Sequence, residues 1–257
     1  MKPLDVPRVL DIIRRFSEED YEVARDSLGS DLTDQYVLTE GREVLGVCGA
    51  RAIEGTDAAY WLSWTYLADA ARGRGLGQQM MTEVFTRLQR QGGRKIFLTT
   101  SDMRDAKGGR LYEAAIKAYE RAGFTLEVHH LHYYAPDDGQ LVMGRRLRMA
   151  QTPINARDDR GLVLTDQDEI IETDDTWYID WRFAEPEETP ATLTDVQARI
   201  EQIRAEGARM IFVGLPSDAP NAEIPFRSAG FRDDGRLTDF YEDGVHETRL
   251  RLDLKAH

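Results

Sequence analysis

The sequence predicts an α/β (α+β) chain made of a longer first region and a shortened repeat of it. Short β-branched and aromatic runs alternate with longer runs whose apolar residues fall at helical spacing. Over residues 60–88 a strand, a loop rich in glycine and arginine, and an amphipathic helix follow one another. A similar strand, helix, strand pattern returns 115 to 117 residues further on.

Composition narrows the class of function. The 257 residues are 41% apolar, ample for one large core or two small ones. Charged residues make up 31% and the formal net charge is −13, which excludes a general attraction to nucleic acid or anionic membrane. The short basic run Arg145-Arg146-Arg148 is the exception. No run approaches the ~20 apolar residues that span a bilayer. The start, Met1 to Pro7, lacks the apolar core of a signal peptide. A single cysteine, Cys48, makes no internal disulfide and suits a reducing compartment, so a cytoplasmic location is expected. Residues 151–257 carry 24 acidic against 12 basic residues, whereas the first 150 carry 22 against 21. Such asymmetry suggests two regions with different jobs.

Taken in order, residues 5–28 read as helical, with Val9, Ile12, Ile13 and Phe16 on one face and a turn at Glu18–Asp20. Tyr36–Thr39 and Val44–Ala50, separated by Glu40-Gly41-Arg42, read as a hairpin. Tyr60–Leu67 is a strand, and Met80, Met81, Val84, Phe85 and Leu88 mark the apolar face of a helix. Lys95–Thr100 is a short strand, and Leu111–Ala122 a helix stopped by Gly123. Phe124–Tyr134 and Gln140–Leu147 form a β-pair around Pro136-Asp137-Asp138-Gly139. Polar residues 148–160, with Pro153, read as a linker, giving domains at 1–150 and 151–257.

The loop before the Met80 helix carries the chemistry. Gly73, Gly75 and Gly77 let backbone N–H groups converge, the helix start adds positive partial charge, and Arg72 and Arg74 supply counter-charge. The chemistry is that of a phosphate site, most naturally for a pyrophosphate. The dinucleotide fingerprint fails because Gln78 or Met80 stands where its third glycine belongs, and a P-loop fails for want of its G-K-[ST] ending. Arg72-Gly73-Arg74-Gly75-Leu76-Gly77 fits R-x-x-G-x-G, and Tyr119-Glu120-Arg121-Ala122-Gly123-Phe124 fits Y-E-x-x-G-F further along.

These two motifs, in this order, resemble those of the GNAT superfamily of N-acetyltransferases, whose element order fills residues 1–150. The resemblance implies the GNAT acyl-CoA N-acyltransferase fold, a mixed central sheet flanked by helices, and acetyl-CoA as co-substrate. It implies direct attack of an amine on the thioester, without an acyl-enzyme. Arg72, Gly73, Arg74, Gly75, Leu76, Gly77 and Gln78 would hold the pyrophosphate, and Thr65, Tyr66 and Leu67 the pantetheine arm. A backbone N–H of Tyr66 or Leu67 would polarise the thioester carbonyl, and Tyr119 would protonate the departing thiolate. Thr100 and Ser101, ending the Lys95 strand, are candidates for contact with cofactor or substrate. Two departures stand out: Tyr112 occupies a position that is often Asn, and the stretch between Thr100 and Leu111 is longer than usual.

The general base is not legible. Glu18, Asp20 and Asp102 are carboxylates in segments that border a cleft, each equally readable as a solvated surface group. Cys48 reads as a small buried residue rather than a nucleophile. Of His129, His130 and His132, the last two share a strand face, but no further metal ligands are evident, so no metal is expected.

The repeat is read from Trp177–Phe183 echoing Tyr60–Tyr66, and from Val196, Ile200 and Ile203 standing for Met81, Phe85 and Leu88. Met210–Val213 answers Lys95–Leu98, Phe226–Phe231 answers Tyr119–Phe124, and Val163–Asp166 resembles Val37–Glu40. Where the first copy has its glycines and arginines, the second has Glu185-Pro186-Glu187-Glu188-Thr189-Pro190, and Phe226 replaces the tyrosine. Carboxylates repel a pyrophosphate, so the second half is expected to be non-catalytic: covering a sheet edge, shaping the cleft or making a homodimer contact. For the acceptor, the acidic chain favours a small-molecule cationic amine. Tyr133–Met143 faintly resembles the closing strands of enzymes that acetylate protein N-termini, so a protein N-terminal or lysine acetyltransferase is the alternative. A non-catalytic acetyl-CoA sensor or scaffold is the other, against which Tyr119 argues.

Overall fold

A computed structural model describes residues 1–151 and 161–255. Most of the expected linker, 152–160, lies outside the described residues. The chain forms two compact units. One comprises Met1–Leu98, Glu113–Thr125 and Gly144–Met149; the other comprises Thr99–Tyr112, Leu126–Met143 and Ala150–His257.

The expected N-terminal helix is two helices, α1 (Val6–Arg14) and α2 (Glu18–Ser30). The break falls at residues 15–17, where the Ser17 hydroxyl accepts the Asp20 N–H at 3.0 Å and caps α2. Val9, Ile12 and Ile13 of α1 and Ala24 and Leu28 of α2 are buried in one cluster with Val44 and Val47. Strands β1 (Gln35–Glu40) and β2 (Glu43–Ala52) make the hairpin, and β3 (Ala59–Leu67) pairs antiparallel with β2. Helix α3 (Leu76–Arg90) buries Met80, Met81, Val84, Phe85 and Leu88. Strand β4 (Lys95–Ser101), helix α4 (Glu113–Arg121) and strands β5 (Thr125–Ala135) and β6 (Asp138–Arg146) follow. Gly123, at φ +86°, lets the chain leave α4 with the Phe124 N–H bonded back to Tyr119 O at 3.0 Å. The six strands run in the order β1-β2-β3-β4-β6-β5.

A second sheet is built from β7 (Leu162–Glu169), β8 (Thr176–Phe183), β9 (Met210–Pro216), β10 (Arg232–Glu242) and β11 (Val245–Asp253), ordered β10-β11-β9-β8-β7. Helix α5 (Leu193–Ala205) lies between β8 and β9 in sequence, and α6 (Pro220–Ser228) between β9 and β10. Val196, Ile200 and Ile203 of α5 pack in one core with Ile179, Ile211, Val213, Phe226 and Leu250. Strand β5 belongs to this unit over most of its length. His130 Nδ1 meets Asp234 Oδ2 at 2.5 Å, Arg251 donates to Leu131 O at 2.7 Å, and Thr176 donates to Tyr133 O at 2.7 Å.

Several hydrogen bonds recur at corresponding positions of the two sheets. Strands β3 and β4 pair in parallel only at Ala59–Lys95, Tyr60–Ile96 and Trp61–Phe97; β8 and β9 pair only at Thr176–Met210, Trp177–Ile211 and Tyr178–Phe212. Ahead of β3, Thr56 Oγ1 donates to Ile53 O at 2.7 Å; ahead of β8, Thr173 Oγ1 donates to Ile170 O at 2.7 Å. Buried Arg94 donates from Nε to Asp57 O at 2.7 Å, and buried Arg209 to Asp174 O at 3.0 Å. One expected correspondence differs. Strand β7 pairs with β8 as β2 pairs with β3, so Val163–Asp166 stands in the place of β2, not of Val37–Glu40 in β1. Both strand pairs contain a bulge, on different strands. In the first sheet Cys48 opposes Trp64 and Thr65, putting the extra residue on β3. In the second, Thr165 and Asp166 oppose Asp180, putting it on β7.

Candidate active site

The loop between β3 and α3 has the geometry that its sequence calls for. Gly73 and Gly75 adopt φ +70° and +76°, and a Cβ at either would touch nothing, so glycine serves backbone conformation there. Gly77 is different. It is helical, and a Cβ on it would lie 3.1 Å from Leu67 Cδ1, so glycine there makes room for β3. The first bond of α3 runs from Gln79 N–H to Gly75 O at 3.2 Å. The N–H groups of Leu76, Gly77 and Gln78 precede it at the positive end of a 15-residue helix, which is an anion site by construction.

The arginines are exposed and engaged nearby. Arg74 forms an ion pair with Glu40 at 2.6 Å. The Arg72 guanidinium lies 4.1 Å over the Phe16 ring and 3.6 Å from Asp69. Both contacts are of the weak, solvent-facing kind that yields to a stronger anion.

Beyond Trp61 the parallel pairing of β3 with β4 stops, while β3 runs on to Leu67. That stretch holds all three expected pantetheine contacts. An extended ligand arm can pair with such an edge as an added strand would. Thr65 Oγ1 donates to Ser63 O at 2.8 Å and stands 3.7 Å from Cys48 Sγ. Leu67 packs against Gly46, where a Cβ would come within 2.7 Å of it. The Tyr66 side chain turns toward the helices: its hydroxyl donates to Asp20 Oδ2 and its ring lies 5.6 Å from that of Phe16.

Tyr119, on α4, belongs to the same compact unit as the loop and β3, and its ring meets Phe124 edge-on at 6.1 Å. Burial, and then the neighbouring Cys48, push its hydroxyl up to about 12, so it stays protonated at neutral pH. Cys48 is fully buried and burial pushes its thiol up to about 12 as well. Its place beside Tyr119 was not legible, because Cys48 sits on β2, 71 residues away in sequence.

Ser101 lies in the other compact unit, where its Oγ bonds Asp138 Oδ1 at 2.5 Å and accepts the Met103 N–H at 2.8 Å. Burial raises the Asp138 carboxyl above its usual range. Asp102 takes His129 Nε2 at 2.5 Å and the Gly139 N–H at 2.6 Å. Glu18 pairs with Arg14 at 2.8 Å. Tyr112 is 44% exposed. The long stretch after Ser101 is a closed turn in which Asp105 accepts the N–H groups of Lys107 and Gly109 at 2.8 and 3.0 Å. His130 and His132 do not share a face: His132 has φ +61°, so His130 meets Asp234 while His132 Nδ1 meets Pro136 O.

Residues 32–126 match the family model for the acetyltransferase (GNAT) domain. Among solved structures, a protein from Desulfovibrio desulfuricans described as of the GNAT family is similar over 57% of this chain and 95% of its own, at 24% identity and a TM-score of 0.52. The aminoglycoside 6'-N-acetyltransferase from Enterococcus faecium is similar over 59% of this chain and 95% of its own, at 16% identity and a TM-score of 0.50. No curated protein matches the chain. At these identities the structures speak for the fold, and the match to the family model speaks for the loop, β3 and α4 that carry the motifs. Over residues 32–126, then, the chain is similar to the acetyltransferase (GNAT) domain.

Proposed function

We propose that the protein is an acetyl-CoA-dependent N-acetyltransferase that acetylates a primary amine of a small molecule by direct attack. One observation carries this reading: a single compact unit combines the glycine loop opening α3, the β3 edge unpaired by β4 beyond Trp61, and the protonated Tyr119 hydroxyl. These residues fit acetyl-CoA, which supplies an acetyl thioester when bound. The N–H groups of Leu76, Gly77 and Gln78, with Arg72 and Arg74, would hold its pyrophosphate. The edge from Thr65 to Leu67 would align the pantetheine arm and direct a backbone N–H of Tyr66 or Leu67 at the thioester oxygen. As the C–N bond forms and the C–S bond breaks, Tyr119 would give its proton to the sulfur, and a base would take one from the amine.

The second half, 151–257, is on this reading a shortened GNAT-like repeat that has lost its cofactor site. The supports are independent of one another. Glu188, in the place of the arginine loop, is paired with Arg182 through both oxygens at 2.6 Å. In the second sheet the backbone just past the last parallel pair is taken by side chains: Gly214 N–H donates to Tyr178 Oη at 2.9 Å and Trp181 Nε1 donates to Gly214 O at 2.7 Å. Phe226 has no proton to give.

The test is acetyl-CoA consumption, followed by release of free thiol, on a panel of small amines, amino acids and peptide N-termini, with calorimetry for binding. Turnover on small amines that falls about 100-fold or more in Tyr119→Phe, with acetyl-CoA affinity unchanged, is expected. Turnover confined to peptides would move the acceptor to protein N-termini. Binding without any turnover would leave a sensor.

A further inference from the structure

The turn between α1 and α2 contains an arrangement that the catalytic reading leaves unused. Phe16 lies in it with 40% of its surface exposed, a large aromatic face open to solvent. A guanidinium already sits on that face: Arg72 Cζ is 4.1 Å from the ring centroid. Behind the ring, at 5.6 Å, is Tyr66 of β3, and the Tyr66 hydroxyl donates to Asp20 Oδ2.

The charges around this group are unequal. Glu18 is neutralised by Arg14 at 2.8 Å and Glu22 by Arg25 at 2.5 Å. Among the described residues, the Asp20 carboxylate is met by a hydroxyl, which supplies a hydrogen bond and no charge. An aromatic face backed by a carboxylate bonded to a neutral hydroxyl is the chemistry that recognises a cation. Arg72 shows that the face accepts one. Its seat is solvent-exposed and its second contact, to Asp69 at 3.6 Å, is weak, so another cation can compete for it.

We propose that Phe16, Asp20 and Tyr66 form a subsite for a second positive charge on the acceptor, making the preferred substrate a diamine or an amine bearing a guanidinium. This rests on the acetyltransferase reading above and adds the substrate's charge pattern to it. One nitrogen of the acceptor is neutral when it attacks the thioester; the distal cation lies on the Phe16 ring, drawn by Asp20. The Tyr66 hydroxyl fixes the Asp20 carboxylate and is a positioning group.

The experiment compares three acceptors of matched length: 1,5-diaminopentane, 5-amino-1-pentanol and 5-aminopentanoate. The wild-type protein should favour the diamine over the alcohol by about tenfold in kcat/KM, within the range of a cation on an aromatic face beside a carboxylate. Phe16→Leu and Asp20→Asn should each reduce that ratio at least about threefold, through the KM of the diamine. Phe16→Tyr, which keeps the face, should retain the preference, and Glu22→Gln, two residues further along α2 and paired with Arg25, should leave the ratio where it was. A purely structural role would alter all three acceptors alike and would not be rescued by tyrosine. A ratio equal in the wild type and both variants, or a wild-type preference for 5-aminopentanoate, overturns the proposal. Should no amine be acetylated, the transferase reading fails on its own. Calorimetry of the same three amines on the protein saturated with coenzyme A then decides the subsite: preferential diamine binding lost in Asp20→Asn upholds it, and equal binding of all three overturns it.

Discussion

Cys48 and Tyr119 are acids whose protons the fold holds on to. Burial is the main cause for both, and each is pushed up to about 12, from ordinary values of 9.0 for the thiol and 10.0 for the phenol. For Tyr119 this suits a proton donor, since an ionised phenol has nothing to give a leaving thiolate. The sign of the linkage follows. The unfolded chain releases these protons first, so their contribution to stability is complete below about 9 and is lost as pH rises from there toward about 12. For Cys48 the same burial makes the thiol inert. At pH 8 iodoacetamide should modify the native protein on the order of a thousandfold more slowly than the urea-unfolded chain, because so little thiolate is present and it is enclosed. The added mass on the single cysteine gives the rate. Prompt alkylation of native protein at pH 8 would mean that Cys48 is an accessible thiolate, reopening the nucleophile role that its burial argues against.

At the scale of the element, the glycine loop separates two uses of one residue type. Gly75, at φ +76°, has open space where a Cβ would go. Gly75→Ala should therefore cost about 1–2 kcal/mol through backbone strain alone, and Gly75→Asn less, since asparagine tolerates the left-handed region better. Acetyl-CoA affinity, read by calorimetry, should fall in the same order, with Ala worse than Asn. Equal affinities for the wild type and Gly75→Ala would show that the loop does not hold the pyrophosphate. Much of this element was legible beforehand, because two φ-demanding glycines, two cations and a helix start all point to one ligand class. The role of Gly77 was not, since its neighbour Leu67 is ten residues upstream, on a strand whose side-chain directions depend on the bulge at Trp64 and Thr65. Local pattern placed most elements. It ran residues 5–28 together because apolar spacing continues to Phe16, whereas the Ser17 cap ends one helix and starts the next. It also matched Val163–Asp166 to the wrong strand, because strand identity is set by pairing and not by composition.

At the scale of the whole chain, the two sheets reach different outcomes on the repeat reading, and a pair of tryptophans shows how. Trp64 and Trp181 stand at corresponding positions of β3 and β8, 117 residues apart. Trp64 Nε1 turns to Ser27 Oγ at 3.5 Å, among the helices. Trp181 Nε1 turns to Gly214 O at 2.7 Å, and Tyr178 takes the Gly214 N–H. Glycine is required there, since a Cβ would come within 2.7 Å of both Tyr178 Oη and the Glu247 carboxyl carbon. Thr99, the counterpart of Gly214 in β4, is exposed, whereas every residue of β9 is buried. The sequence could show the carboxylates facing the would-be pyrophosphate, but not this closure, which depends on the side to which an indole turns. On the repeat reading, two separate obstacles in the second half, one electrostatic and one steric, stand against a second cofactor site, so removing one alone would not open it. Titration of the full-length protein with acetyl-CoA should accordingly saturate at one equivalent per chain. Removing the first site with Arg72→Glu and Arg74→Glu together should abolish binding, because no residual second site remains to be uncovered. Saturation at two equivalents, or binding that survives the double charge reversal, would mean that Tyr178 and Trp181 open on contact with the ligand and that the second half still binds it.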